Sequence, residues 1–279
     1  MRQLTEVSET ALITLRSRVV ESRKANPLLH DPMGEELFNK LRESLPDEVR
    51  SRVMDRKISP LLSRHISLRA RKYDLLCMEF LREYPGGLIV SLGAGFDTRF
   101  WRLGGKEVNY MELDLPAVIQ AKKQLLEGRI TYNLMEESVL EEKWIKEVMK
   151  IQSDHVLFVA EGLFMYLPRE KFVQTLANMA GSFTASRIVM EVIAEKYTRG
   201  FRKKMVERKM RRGAGSTAGD YYQFGIKEAA EMESYHPGIK VRGEWSYFED
   251  PDVKPAILRL FRHSKALSKT QYSVIADIN

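Results

Sequence analysis

Residues 1–86 carry apolar side chains at helical spacing and contain no strong strand signal. In TALITLRSRVV, one helical face holds Ala11, Leu12, Leu15 and Val19. In HDPMGEELFNKL, Asp31 is the predicted N-cap and Pro32 the first helical residue. A longer segment, SLRARKYDLLCMEFLREYPGG, predicts a helix that stops at Pro85. These signals predict an N-terminal helical cap over residues 1–86 that packs on the rest of the chain.

From residue 88 onward, short continuous apolar runs replace the helical pattern. They are LIVSL (88–92), VNYMEL (108–113), ITYNL (130–134), HVLFVA (155–160) and RIVMEV (187–192). Such runs are typical of strands buried on both faces of a parallel sheet, and helical segments lie between them. Two late runs, IKVRGEWSYF and TQYSVIADI, are predicted as an edge pair. Residues 87–279 therefore predict an α/β fold, a doubly wound and mostly parallel Rossmann-like sheet.

A basic segment interrupts this alternation after the fifth predicted strand. Residues 196–212 contain nine Lys or Arg and one Glu, with Phe201, Met205, Val206 and Met210 at helical spacing. The pattern predicts an amphipathic helix within an insertion over residues 196–224, and GAGSTAGD after it predicts a flexible link. The insertion is interpreted either as a lid that attracts an anionic substrate or as a solvated surface.

Composition narrows the class of protein. The chain has 279 residues, a formal net charge of +7 and 44% hydrophobic residues, which indicates one elaborated domain. The positive charge favours anionic partners, but no nucleic-acid-binding module is recognisable, so nucleic acid is not expected. A single cysteine, Cys77, excludes an internal disulfide, and neither it nor the histidines have metal-ligand spacing. With no apolar signal region and no membrane-spanning window, a cytoplasmic location is expected.

The candidate chemistry begins in the stretch VSLGAGFDTRFWRL, directly after the first predicted strand. Gly93 and Gly95 permit a ligand to approach the backbone, but Asp97-Thr98-Arg99 stands where a dinucleotide loop has its third glycine. A carboxylate there would repel a pyrophosphate and attract an ammonium group. The loop therefore favours S-adenosylmethionine, which carries positive groups and no phosphate.

An acidic residue on the next predicted strand supports a nucleoside ligand. Asp114 lies 19 residues after Gly95, where a carboxylate accepts hydrogen bonds from ribose hydroxyls. Glu112 shares a strand face with Asp114 and is the competing candidate. Because this loop and acid also occur in nicotinamide enzymes, a nicotinamide-dependent oxidoreductase remains an alternative.

Three motifs together are more specific than the glycine loop. VSLGAGFDTRFWRL, YMELDLP with a lysine six residues on, and VAEGLFMYLP resemble the leucine carboxyl methyltransferase family, which includes tetracenomycin-type polyketide O-methyltransferases. The resemblance covers residues from about 10 to 190 and implies a class I methyltransferase that uses S-adenosylmethionine.

The resemblance also implies site residues. Arg69 matches the arginine that binds the methionine carboxylate, with Arg71 as the neighbouring alternative. Tyr166 and Glu161 are the candidates for the reaction centre. The expected cofactor-binding residues are Arg69, Gly93, Ala94, Gly95, Asp97, Asp114, Leu115, Asn133, Leu134, Glu161 and Gly162. Asn133-Leu134 stands where the family has Asp-Leu beside the adenine. No metal site is expected.

The predicted reaction is O-methylation of a small molecule or a peptide end. Methyl transfer from a sulfonium needs alignment above all, and a carboxylate acceptor is already ionised. A hydroxyl needs a general base, and EGLFMYL contains no histidine, although His236 or His263 is available from the C-terminal part. A carboxylate is therefore preferred over an acidic hydroxyl. A non-catalytic polyanion-binding module is the remaining alternative, and the oligomeric state is not predicted.

Overall fold

The computed structural model describes residues 6–55, 57–205, 208 and 222–279. The α-helices are α1 (Glu6–Ser22), α2 (Pro32–Ser44), α3 (Asp47–Val49), α4 (Pro60–Glu83), α5 (Arg99–Arg102), α6 (Pro116–Leu125), α7 (Lys143–Met149), α8 (Arg169–Ser182) and α9 (Lys265–Ser268). The strands are β1 (Leu88–Leu92), β2 (Tyr110–Asp114), β3 (Asn133–Glu136), β4 (Val156–Ala160), β5 (Ser186–Ile193), β6 (Ile239–Ser246) and β7 (Gln271–Ile278). Shorter 3₁₀ turns include Phe164–Tyr166, Glu195–Tyr197, Ala229–Ser234, Tyr247–Glu249 and Ala256–His263.

The strands form one seven-stranded sheet in the order β3-β2-β1-β4-β5-β7-β6. The first five strands are parallel, and β7 pairs antiparallel with both β5 and β6. The strand order reverses between β1 and β4, which is the switch point where open α/β sheets bind ligands. The predicted doubly wound, mostly parallel sheet is confirmed, as is the predicted edge pair, whose two strands are antiparallel.

Both faces of the sheet are covered by helices. On one face, α4 packs Tyr73, Cys77 and Phe80 against Ile89 and Leu157 of the sheet. On the other face, α7 and α8 bury Trp144, Phe172 and Leu176 against apolar strand residues. All five residues of β1 and all five of β4 are buried, which explains why these strands appear in the sequence as unbroken apolar runs.

The N-terminal helices form a second apolar cluster beside the sheet. Leu12, Leu15 and Val19 of α1 pack with residues of α2 and α4, and with Phe96 from the loop after β1. Asp31 caps α2 by accepting a hydrogen bond from the amide of Gly34, with Pro32 in the first turn, as predicted. These contacts bring α1 over the carboxyl ends of the central strands.

The third strand was predicted to begin at residue 130, three residues before its first residue in the structure. Ile130 and Tyr132 precede the strand and pack against neighbouring apolar clusters. β3 itself runs from Asn133 to Glu136. The apolar run therefore marks partly buried residues of the preceding loop rather than the strand itself.

The predicted basic helix of residues 196–212 lies partly outside the described residues. Residues 200–205 are helical, while Val206, Met210 and the link 213–220 are not described. Phe201 and Met205, on the predicted apolar face, are 77% and 57% exposed, so the described half of that face packs against nothing that buries it. Over the described ranges, no helix has the length and apolar character needed to cross a membrane. In the same ranges, no group of three or more acidic, histidine or cysteine side chains forms a candidate metal site.

Candidate active site

A cavity of about 420 Å³ opens at the carboxyl ends of β1, β2 and β4, in the size range of small-molecule sites. Its walls come from α1, α4, the loop after β1, and the segments that follow β2, β3 and β4. Of the predicted cofactor and catalytic residues, those that line it are Arg69, Gly93, Ala94, Gly95, Asp97, Asp114, Leu115, Glu161, Gly162 and Tyr166.

The glycine loop is held tightly against β2. The amide of Gly93 donates to the carbonyl of Leu113 at 2.8 Å, and the amide of Gly95 donates to Asp114 Oδ2 at 2.6 Å. Gly93 and Gly95 have φ values of +61° and +54°, which favour glycine. A Cβ on Gly93 would lie 2.7 Å from Leu163 Cδ1, and one on Gly95 would lie 3.1 Å from the Ala11 side chain. The loop is therefore a close-fitting turn on which any added side chain would intrude.

The two acidic residues of β2 have different surroundings. Asp114 faces the cavity at the carboxyl end of the strand, and burial raises its pKa although the amides of Gly95 and Leu115 donate to its oxygens. Glu112 is fully buried, does not line the cavity, and pairs with Lys122 at 2.6 Å. The geometry therefore favours Asp114 over Glu112 as the ribose ligand.

The two candidate arginines on α4 also differ in position. Arg69 lines the cavity and donates to Glu161 Oε1 at 2.8 Å and to Glu191 Oε2 at 2.8 Å. Arg71 points elsewhere and pairs with Asp250 and Asp252 at 2.9 Å and 2.8 Å. Arg69, rather than Arg71, therefore faces any ligand in the cavity.

Asp97 is surrounded by arginines. Its carboxylate lies 2.6 Å from Arg99, 3.1 Å from Arg102 and 3.9 Å from Arg18. Burial opposes its ionisation, but these three guanidinium groups together hold the pKa of Asp97 well below its usual range. Most of the Asp97 charge is therefore already compensated within the protein. This weakens the direct attraction between Asp97 and an ammonium group that the sequence predicts.

Glu161, a candidate for the reaction centre, belongs to the same network of arginines and carboxylates. It follows β4 and accepts from Arg69 at 2.8 Å and from Arg99 at 2.5 Å. Burial raises its pKa, but the two arginines outweigh this and hold the pKa of Glu161 below its ordinary value. Glu161 is thus an ionised, fixed carboxylate and a poor proton acceptor.

Tyr166 and Tyr222 form an aromatic wall at the far end of the cavity. Their ring centroids are 5.4 Å apart, and Tyr166 hydrogen-bonds to both Tyr222 and Thr10. Burial, followed by the nearby Glu191 carboxylate, raises the pKa of Tyr166 to about 12. At neutral pH its hydroxyl is therefore protonated and able to donate a hydrogen bond.

Asn133 and Leu134 do not line this cavity, so the structure lends no support to their predicted place beside the adenine. Both lie at the amino end of β3, because the strand starts three residues later than the apolar run suggested. Residues 133 and 137 are about 13 Å apart along an extended strand. Glu137 and Ser138, which follow β3, occupy the position at the cavity instead.

Several cavity residues were missed by sequence reasoning. They are Arg18, His65, Arg99, Glu137, Ser138, Glu191, Tyr222 and Gln271. One of them left a usable signal, because Glu191 is an acidic residue inside the apolar run RIVMEV. His65 lines the cavity one helical turn before Arg69, whereas His236 and His263, which the sequence offered as bases, lie elsewhere.

Comparison with known proteins places this fold and site in a class. The family model described as leucine carboxyl methyltransferase matches residues 11–180. The tetracenomycin polyketide synthesis O-methyltransferase TcmP of Streptomyces glaucescens is 28% identical over 257 residues, covering 91% of this chain and 88% of TcmP. The S-adenosyl-L-methionine-dependent methyltransferase dpfgK of Gibberella zeae is 27% identical over 248 residues, covering 86% of this chain and 82% of that protein.

The fold, the cavity and these relatives define an S-adenosylmethionine-dependent methyltransferase. More particularly, the chain belongs to the leucine carboxyl methyltransferase family. The nicotinamide oxidoreductase and the non-catalytic binding module are therefore set aside.

The cavity residues fit this cofactor. The loop places bare glycine backbone where a Cβ would intrude, and Gly162, with φ of +71°, faces Arg69 and Glu191 at the opposite wall. A guanidinium (Arg69) and a carboxylate (Asp114) both line the cavity, at positions suited to an amino-acid end and a ribose. The half-exposed Leu115 offers an apolar surface beside Asp114.

Proposed function

We propose that this protein transfers a methyl group to an oxygen of a small molecule or peptide end, with a carboxylate as the preferred acceptor. One observation carries the proposal. The cavity continues past Glu161 into the aromatic wall of Tyr166 and Tyr222, where the described carboxylates are paired with arginines. The relative named as an O-methyltransferase and the family named for a leucine carboxyl group support the same chemistry.

The cavity walls support a proposed set of cofactor roles. We assign Arg69 to the methionine carboxylate, Asp114 to the ribose hydroxyls, and Leu115 with Glu137 and Ser138 to the adenine. Gly93, Ala94, Gly95 and Gly162 provide close backbone approach. Asp97 pairs with Arg99 and Arg102, and through Arg99 it acts on Glu161. The cap of residues 1–86, through α1 and α4, completes the wall of the core formed by residues 87–279.

When bound, S-adenosylmethionine supplies an electrophilic methyl group. The chain's own contribution is alignment and exclusion of water. Tyr166 is protonated and is suited to donate a hydrogen bond to the acceptor oxygen. Glu161 fixes Arg69 and Arg99 and removes no proton. Because a carboxylate needs no deprotonation at neutral pH, this arrangement suits it better than a hydroxyl.

An acidic hydroxyl is the second candidate, and one observation favours it. His65 lines the cavity one turn from Arg69 and contacts the ring of Tyr247 at 4.4 Å between centroids. If the acceptor were a phenol, His65 would be the residue placed to receive its proton. The basic segment of residues 196–212 remains a proposed lid for an anionic acceptor.

The experiment is transfer of labelled methyl from S-adenosylmethionine to panels of aryl carboxylates, alkyl carboxylates, carboxyl-terminal peptides and phenols. Mild alkali releases labelled methanol from a methyl ester and leaves an aryl ether intact. We expect alkali-labile product, a rate that is flat between about pH 6 and 9, and no effect of His65→Ala. Alkali-stable product with a His65-dependent rate would favour the hydroxyl instead. Absence of transfer to every panel, with S-adenosylhomocysteine still bound, would overturn O-methylation of these acceptors.

A further inference from the structure

The arginine–carboxylate network beside the cofactor site is unbalanced in charge. Among the described residues it joins five carboxylates to four guanidinium groups. The carboxylates are Asp31, Asp74, Asp97, Glu161 and Glu191, and the arginines are Arg18, Arg69, Arg99 and Arg102. The neighbouring pair of Lys122 and Glu112 is balanced and does not change this count.

The excess negative charge lies mainly on Glu191. Each of the other four carboxylates is within ion-pair distance of two or three arginines, whereas among the described residues Glu191 has Arg69 alone and shares it with Glu161. Its remaining partner is the neutral amide of Gln271, which donates to Oε1 at 2.7 Å. The Glu191 residue is 2% exposed, so water and salt screen this charge weakly.

Glu191 also faces the ligand space. It lines the cavity from β5, and its Oε2 lies 3.5 Å from the point where a Cβ on Gly162 would sit. The same point lies 3.9 Å from Nη2 of Arg69, which we assign to the methionine carboxylate of the cofactor. The uncompensated carboxylate is thus on the same wall as the methionine end.

The donor and its product differ by one unit of charge. S-adenosylmethionine has a carboxylate, an ammonium and a sulfonium, with net charge +1, whereas S-adenosylhomocysteine has lost the sulfonium charge and is neutral overall. We infer that Glu191 makes the site prefer the cationic donor to its neutral product, so that loss of the methyl group itself weakens binding. Glu191 is then a specificity-determining residue for cofactor exchange.

The test is a set of calorimetric titrations at pH 8 with S-adenosylmethionine, S-adenosylhomocysteine and sinefungin. In sinefungin a carbon bearing a primary ammonium replaces the methylated sulfur, so it keeps the charge and lacks the sulfonium. We expect Glu191→Gln to reduce the preference for each cationic ligand over S-adenosylhomocysteine by about tenfold. One unit charge has at least this effect out to about 12 Å at an effective dielectric constant of about 20.

Two further variants separate charge from structure. Glu191→Asp keeps the charge, so the preference should stay within about threefold of wild type. This variant tests the role of the charge even if Glu191→Gln folds poorly. Glu244→Gln, on β6 away from the cavity, controls for overall charge.

Two results would overturn the inference. In the first, Glu191→Gln weakens all three ligands by the same factor, which is what a purely structural role produces. In the second, the preference for S-adenosylmethionine falls while sinefungin follows S-adenosylhomocysteine unchanged, which would indicate contact with the methyl group rather than charge.

Discussion

At the scale of single residues, the site depends on how charges are shared. Asp97, which the sequence suggested as a direct partner for a cationic ligand, lies among Arg18, Arg99 and Arg102. A buried carboxylate without partners would lose its charge, so these arginines are the reason that Asp97 stays ionised. The identity of the residue was visible in the sequence, but its partners come from α1 and α5 and were not.

The cofactor loop provides a residue-scale prediction. Gly95→Ala puts a side chain on a residue with φ of +54° and 3.1 Å from Ala11, which strains the loop whose amide binds Asp114. We expect S-adenosylhomocysteine to bind at least about tenfold more weakly by calorimetry, together with a loss of about 1–2 kcal/mol in unfolding free energy.

Gly128→Ala is the matched control for this change. Gly128 has φ of +73° and no atom within 4 Å of an added Cβ, so it carries the same backbone strain without the contact. It should lose similar stability and keep its affinity for S-adenosylhomocysteine. Equal affinities in the two variants would show that the fit between Gly95 and α1 is unimportant.

At the scale of elements, the cavity is assembled from segments that are far apart in the chain. β1, β2 and β4 were predicted within two residues because both of their faces are buried and their apolar runs are continuous. The position of β3 was predicted less well, because its exposed and half-buried residues form no continuous apolar run. The apolar run includes Tyr132, which lies ahead of the strand. Because of this error of three residues, the residues proposed for the adenine lie at the amino end of β3, whereas its carboxyl end meets the cavity.

The segment after the insertion gives an element-scale prediction. The backbone N–H of Gln223 donates a hydrogen bond to the carbonyl of Met165 at 2.9 Å. This contact brings Tyr222 against Tyr166. Tyr222→Ala should therefore lower kcat/KM for the acceptor at least about tenfold, since misplacement of a substrate by a small distance is costly. Affinity for S-adenosylhomocysteine, measured by calorimetry, should change less than about twofold.

Tyr197→Ala provides the comparison for this variant. Tyr197 packs in the same small apolar cluster but does not line the cavity. It should disturb the cluster and leave the acceptor kinetics near those of wild type. If both variants lose kcat/KM equally, Tyr222 contributes packing and not acceptor recognition.

At the scale of the whole molecule, the buried network predicts how stability depends on pH. Arginine partners outweigh burial and lower the pKa values of Asp31, Asp97 and Glu161, so their contribution is present above about pH 4 and lost as the pH falls further. Burial raises the pKa values of Glu112, Asp114 and Glu191, so stability decreases as the pH rises through their folded values.

The two sets together predict a maximum on the acidic side of neutrality. Urea unfolding should give an equal or higher free energy near pH 5 than near pH 7, followed by a steep fall below about pH 4. A free energy that falls continuously from pH 7 to pH 5 would contradict the assignment of Glu112, Asp114 and Glu191 as carboxyls whose ionisation burial opposes.

The sequence by itself determined the class of fold, the family and most of the cofactor wall. Burial on both faces leaves continuous apolar runs, and close approach to the backbone requires glycine at Gly93 and Gly95, so both leave local marks. Only the tertiary structure showed that Arg69 and not Arg71 lines the cavity, paired Glu112 with Lys122, brought Glu137 rather than Asn133 to the cavity wall, and gave Glu191 a single arginine partner among the described residues. These features depend on contacts between side chains that are far apart in the chain. Such contacts leave no periodic pattern in a single sequence.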